Sequence, residues 1–188
     1  MGTRFAISWL AALLVLCFPM MAVSGVAELT ASDMATIRNP EMSSDIRLLL
    51  RFEPVDELQG AHVDLAILEF PAAVSCQDGA PGLTLDAFAA TSPWSGQNAG
   101  WDQGWDAPGG DVDSGTHAVW TVAASDTARI RFDVTDRVNS WLRDELSNNG
   151  LMVRVARGET GMFSFRYIDG YTSAVPSIAV WYTPYPSR

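Results

Sequence analysis

From Ile46 the chain alternates: Ile46, Leu48, Leu50 and Phe52 are apolar, while Arg47, Arg51 and Glu53 stand between or beside them. A period of two predicts a strand with one buried face. The same pattern recurs at Val63–Phe70 and Leu83–Ala89, separated by the turn-rich segment 78–82. It returns at Ala118–Ala124, Ala128–Val134, Leu151–Ala156, Met162–Ile168 and Ser177–Thr183, with a short piece at Ala35–Arg38. The spacing predicts an all-β, jelly-roll-like antiparallel β-sandwich of about eight or nine strands. One segment departs from it. Val138, Trp141, Leu142 and Leu146 recur at helical spacing, which predicts a short helix over about residues 135–146. Asp133 or Thr135 is placed to cap its first turn, and Asn148, Asn149 and Gly150 supply a stop.

The N-terminus reads differently. Arg4 is followed by an apolar run from Phe5 to Val23, then by the small residues Ser24, Gly25 and Ala27. This layout predicts a secretory signal peptide over residues 1–25, cut after Ser24, Gly25 or Ala27. An uncleaved membrane anchor is the rival, since the run as a helix would reach about 28 Å. Cys17 sits inside the run after Leu16, where a lipoprotein signal would need a small residue, so lipidation is rejected. Cleavage would leave Cys76 as the single cysteine, without a disulfide partner. The domain is then a single sandwich over residues 31–184, secreted or displayed at the cell surface, with no stable membrane insertion.

Charge narrows the partners. There are 12 basic and 22 acidic residues, a net charge of −10, and every basic residue is Arg. Such a surface repels phosphate backbones, so no nucleic-acid role is expected.

The order DIRLLLRFEPV, VDLAILEF, a Trp-bearing loop, RFDVTDRVNSWL followed by NNGLMVR, and FSFRYID followed by PSIAVWYT resembles the DNRLRE domain family. The resemblance runs from about Ala31 to Thr183. Its most specific part is the spacing of Asp133, Val134, Thr135, Val138, Trp141, Asn149, Gly150 and Leu151. That family comprises extracellular β-sandwich modules, some described as carbohydrate-binding and some found alongside disaggregatase-type proteins. The resemblance implies a jelly-roll-like sandwich in a non-catalytic role, and leaves the ligand open.

The loop from Ser92 to Gly115 carries Trp94, Trp101 and Trp105 among Gly, Asp and Gln. Indoles on a polar loop suit a sugar-binding surface, because pyranose C–H faces lie on π-faces. The plain structural alternative is that they fold back over an open end of the sandwich, because Trp usually buries most of its area. Trp120, Trp141 and Trp181 lie in strand or helix patterns and are assigned to packing. Strand parity turns Arg47, Arg51, Arg129, Arg131, Arg154 and Arg166 outward. Gathered in one stripe, they would grip the carboxylates of a uronic-acid polysaccharide. Paired across strands with acids such as Glu53, Asp64 or Asp86, they would be structural. The candidate ligand residues are therefore Trp94, Trp101, Trp105, Arg129, Arg131, Arg154 and Arg166.

No cofactor is expected. Asp102, Asp106, Asp111 and Asp113 could offer oxygens to a structural Ca²⁺, but the D-x-D-x-D-G loop with a distal Glu is absent, which favours a solvated acidic loop. Hydrolase, P-loop and zinc signatures are absent, and His62 and His117 are the only histidines. The sequence reading is a secreted, non-catalytic module for polysaccharide or cell-surface glycan. Its alternatives are a structural or assembly module of envelope or matrix, and a small polysaccharide-active enzyme.

Overall fold

Alternation between buried and exposed positions runs through several strands of the computed structural model, which describes residues 24–77, 79–115, 117–165 and 175–185. The elements in chain order are β1 (Gly25–Arg38), β2 (Ile46–Phe52), β3 (Ala61–Cys76), β4 (Leu83–Ala89), β5 (Ala118–Val122) and β6 (Ser125–Asp133). The helix α1 (Thr135–Leu142) follows, then β7 (Leu151–Val155), β8 (Gly161–Phe165) and β9 (Ser177–Pro184). All strand pairs are antiparallel.

The strands form two layers. One runs β2–β7–β4–β5 and the other β1–β9–β3–β6, with β8 added beside the far end of β3. Leaving β8 aside, this is the strand order of a jelly roll, two Greek keys folded face to face. The layers share one strand. Gly25–Thr30 of β1 pairs with β9, and after an irregularity between Ala31 and Asp33 the rest of β1 pairs with β2. We call the layer containing β9 the first sheet and the layer containing β2 the second.

Between them lies the core, built from inward residues of both layers such as Leu50, Phe52, Leu68, Phe70, Ile130 and Phe132. The helix closes one end, with Val138 and Trp141 packed into the same cluster. Its first turn is held by Asp133, whose Oδ1 accepts from the Thr135 amide and hydroxyl. The Thr135 hydroxyl oxygen in turn accepts from the Ala66 amide of β3. Asn139 sits beside the irregularity in β3, where its Oδ1 accepts from the Val63 amide and its Nδ2 donates to the Val63 carbonyl.

Two boundaries depart most from the sequence reading. The first strand opens at Gly25, ahead of residue 31 where the domain was expected to begin, and Ala35–Arg38 is only its last part. The segment escapes a hydropathy scan because its outward positions include Glu28, Thr30 and Asp33, and only Ala27 and Leu29 of its first half are buried. The helix ends at Leu142, short of 146, where the chain turns and Asp144 adopts a positive φ of 55°. The leader expected over residues 1–25 lies outside the described residues apart from its last two positions. Among the described residues no helix is long and apolar enough to cross a membrane.

Candidate functional site

The tryptophan loop is not a free platform. It folds back over the outer face of the second sheet and builds a second apolar cluster with Ile37, Leu49, Ala90 and Met152. Trp94 is only 7% exposed, and its Nε1 donates to the Asn149 carbonyl at 2.7 Å. Trp105 donates from Nε1 to Gly100 O, which closes the loop on itself. Trp101 and Trp105 pack against the same cluster half-buried, and the Arg47 guanidinium lies 4.4 Å from the Trp101 ring centroid. The three indoles cover a sheet face, where the sequence alternative had them close an end of the sandwich. Leu49 and Met152 pair directly across β2 and β7 and would otherwise leave an apolar strip in water.

Two of the four loop carboxylates, Asp111 and Asp113, are spent internally. Asp111 accepts from the Ser92 hydroxyl and the amides of Asp106 and Ala107. The Asp106 amide, then Ser92, draws its pKa below the ordinary carboxylate range. Asp113 accepts from the Gly115 amide and from Arg137, and these two hydrogen bonds lower its pKa in that order. Among the described residues no group of three or more His, Cys, Asp or Glu is placed to hold a metal ion.

The outward arginines do not form one stripe. Arg129 and Arg131 lie on the first sheet, and both hold the carboxylate of Glu69 on the neighbouring strand, Arg131 through Nε at 2.6 Å. Burial tends to raise the pKa of Glu69, but the hydrogen bonds from Arg131 and Arg129 outweigh it and the net direction is downward. Arg47, Arg51 and Arg154 lie on the opposite face, on the second sheet. Arg51 pairs with Asp33 at 3.0 Å and donates to Trp94 O, and Arg47 pairs with Asp45 at 3.3 Å. Arg154 stacks over Phe88, 4.6 Å from the ring centroid. Arg166 lies outside the described residues.

The exposed indoles are elsewhere, one on the outer face of the first sheet and one at the edge of the second. Trp181 of β9 is 40% exposed and Trp120 of β5 is 36% exposed, which corrects their assignment to packing. Register explains the placement. Trp181 stands between Val26 of β1 and Leu65 of β3, the next row is Glu28, Ala179, Ile67 and Asp133, and the row after it is Thr30, Ser177, Glu69 and Arg131. Ala179 and Ser177 are small, so the middle of the sheet is a trough between larger side chains. The trough continues past β6 to Val119 and Trp120 on the rim of the other layer, and encloses about 840 Å³. The two indoles are separated by β3 and β6, a span of about 10–15 Å at ordinary strand spacing.

Hydropathy could not reveal this. In SIAVWYT and AVWTV each Trp follows an Ala-Val pair, apolar on both parities, so an exposed Trp looks like another core position. The usable signal was parity: Ile178 and Val180 point inward, which turns Ser177, Ala179 and Trp181 out together.

Neither histidine lines the trough. His62 is exposed, 4.0 Å from Asp64, and His117 stacks on Phe88 with its Nε2 3.7 Å from buried Asp86. No protein-family model matches the chain, and no curated protein is similar to it.

Proposed function

We propose that this protein is a non-catalytic binding module that holds a polysaccharide chain along the outer trough of its first sheet, with pyranose rings resting on Trp181 and Trp120. The observation that carries this reading is two exposed indoles at either side of one small-residue trough, flanked by carboxylates and an arginine. Indole faces supply stacking area, and Glu28, Asp133 and Ser177 are there to hydrogen-bond hydroxyls. Three carboxylates against Arg131 disfavour an acidic chain here, so a neutral glycan is the ligand for this face. Glu69, kept ionised by two arginines, is unsuited to donate a proton as a general acid.

The DNRLRE resemblance and the leader-like N-terminus support an extracellular setting for such a module. The test is titration of the chain with neutral and uronic-acid polysaccharides, followed by tryptophan fluorescence. Saturable quenching with a neutral glycan, weakened at least about tenfold (about 1.4 kcal/mol) in Trp181→Ala, supports the reading. No response from any neutral glycan, in a protein that remains folded, overturns it. The 67% exposure of Val26 beside Trp181 favours one second reading, an assembly module that docks a protein on the same face.

A further inference from the structure

A second concavity, of about 520 Å³, opens on the opposite layer between the start of β2, the end of β7 and the turn that follows it. Its chemistry is set by Arg47, Arg154 and Arg157, with Asp45 and Glu159 at the margin. Arg47 and Arg154 stand directly opposite each other in the β2–β7 pairing, an arrangement that like charges normally disfavour.

The two are not equally provided for. Arg47 donates twice to Asp45 and once to the Gly109 carbonyl, and its face rests on Trp101. The Arg154 guanidinium rests on the Phe88 ring but hydrogen-bonds no described residue, and its Nε is buried without a partner. Its neighbour across β4, Asp86, attracts it electrostatically, but that carboxylate also faces His117. Burial first, and the charge of Arg47 second, work against the protonated form of Arg154. A guanidinium does not lose its proton in a protein, so the cost stays in the folded state until an anion meets it.

We propose that this concavity is a binding site for a carboxylate, taken end-on by Arg154 with Arg157 alongside, and that it is separate from the trough on the first sheet. The planar fork of a guanidinium matches a carboxylate through two parallel hydrogen bonds. Asp45 and Glu159 at the margin repel a doubly charged oxyanion more than a singly charged one, which selects carboxylate over phosphate. The volume accommodates a sugar acid as well as a small organic acid.

The test is calorimetric titration of the full chain at low salt with sodium glucuronate, sodium acetate and inorganic phosphate, repeated for Arg154→Gln and, on the other face, Arg131→Gln. The expected result is saturable binding of glucuronate, weaker binding of phosphate, a loss of at least about tenfold in Arg154→Gln, and no change in Arg131→Gln. Glucuronate binding more tightly than acetate assigns the sugar ring a share of the site, and equal binding assigns it to the carboxylate alone. Absence of saturable binding by both carboxylates, undiminished binding in Arg154→Gln, or a preference for phosphate overturns the proposal. Thermal unfolding of Arg154→Met keeps the result interpretable. A melting temperature at or above that of the parent is expected when an uncompensated charge is removed, and a marked fall assigns Arg154 to structure and overturns the proposal.

Discussion

Asn139 does with one side chain what a neighbouring strand would do: it satisfies both the amide and the carbonyl of Val63 where β3 departs from regular pairing. Asn139→Leu would leave two buried backbone groups unmet and is expected to cost about 2–5 kcal/mol, read as a lower urea midpoint at unchanged slope. The sequence placed Asn139 on the helix but gave no sign of this role, since the need arises from a backbone irregularity in a strand far away in the chain. Acid lability belongs to the same scale. Glu69, Asp111 and Asp113 all have pKa values lowered in the folded state. Each therefore binds protons less readily when folded, so its stabilisation is complete above the ordinary carboxylate range and is lost as pH falls through the folded values. Chemical denaturation at a series of pH values should show stability falling on acidification below about pH 4 to 5, and a flat profile there would contradict these hydrogen bonds. Gly150 is a third single-residue requirement. At its φ of 84°, an added Cβ would lie 2.1 Å from the Leu50 carbonyl oxygen.

Among the elements, the loop from Ser92 to Gly115 departs most from a hydropathy reading. Its Asp content read as a solvated acidic loop, yet it supplies Trp94 to a closed cluster and anchors it through Asn149 and Arg51. Those partners come from distant segments, so no local pattern could have announced them, whereas the strands announce themselves through period two. Trp94→Ala is expected to cost about 3–5 kcal/mol, as truncation of a buried aromatic does, and to expose Leu49 and Met152. Equilibrium unfolding would measure the first effect and binding of an apolar dye the second. A loop that merely floated would show neither. The helix illustrates the opposite case. Its spacing was legible, as was a role for Asp133 at its start, although the N-cap position falls on Val134; its last turn was overextended, because Leu146 repeats the period after the backbone has already turned at Asp144.

For the molecule as a whole, the sheet order decides which outward residues become neighbours. Six outward arginines were readable from parity, but parity does not say which layer a strand joins. The five that are described divide between two faces, Arg129 and Arg131 on one and Arg47, Arg51 and Arg154 on the other. The faces thus acquire different characters: an acidic, aromatic trough on the first sheet and a smaller basic concavity on the second. Raising the salt concentration should weaken carboxylate binding at the second and leave stacking in the first nearly unchanged, since screening acts on charge and not on apolar contact.

The strand common to both layers has a mechanical corollary. Because β1 is sewn to β9 at one end and to β2 at the other, neither layer can slip along its partner without shearing hydrogen bonds in both. The sandwich should therefore open as one piece. Amide hydrogen exchange at Leu29, on one side of the irregularity in β1, and at Ile37, on the other, is expected to report the same opening free energy as global denaturation. A lower value at either would mean that the seam parts before the cloth does.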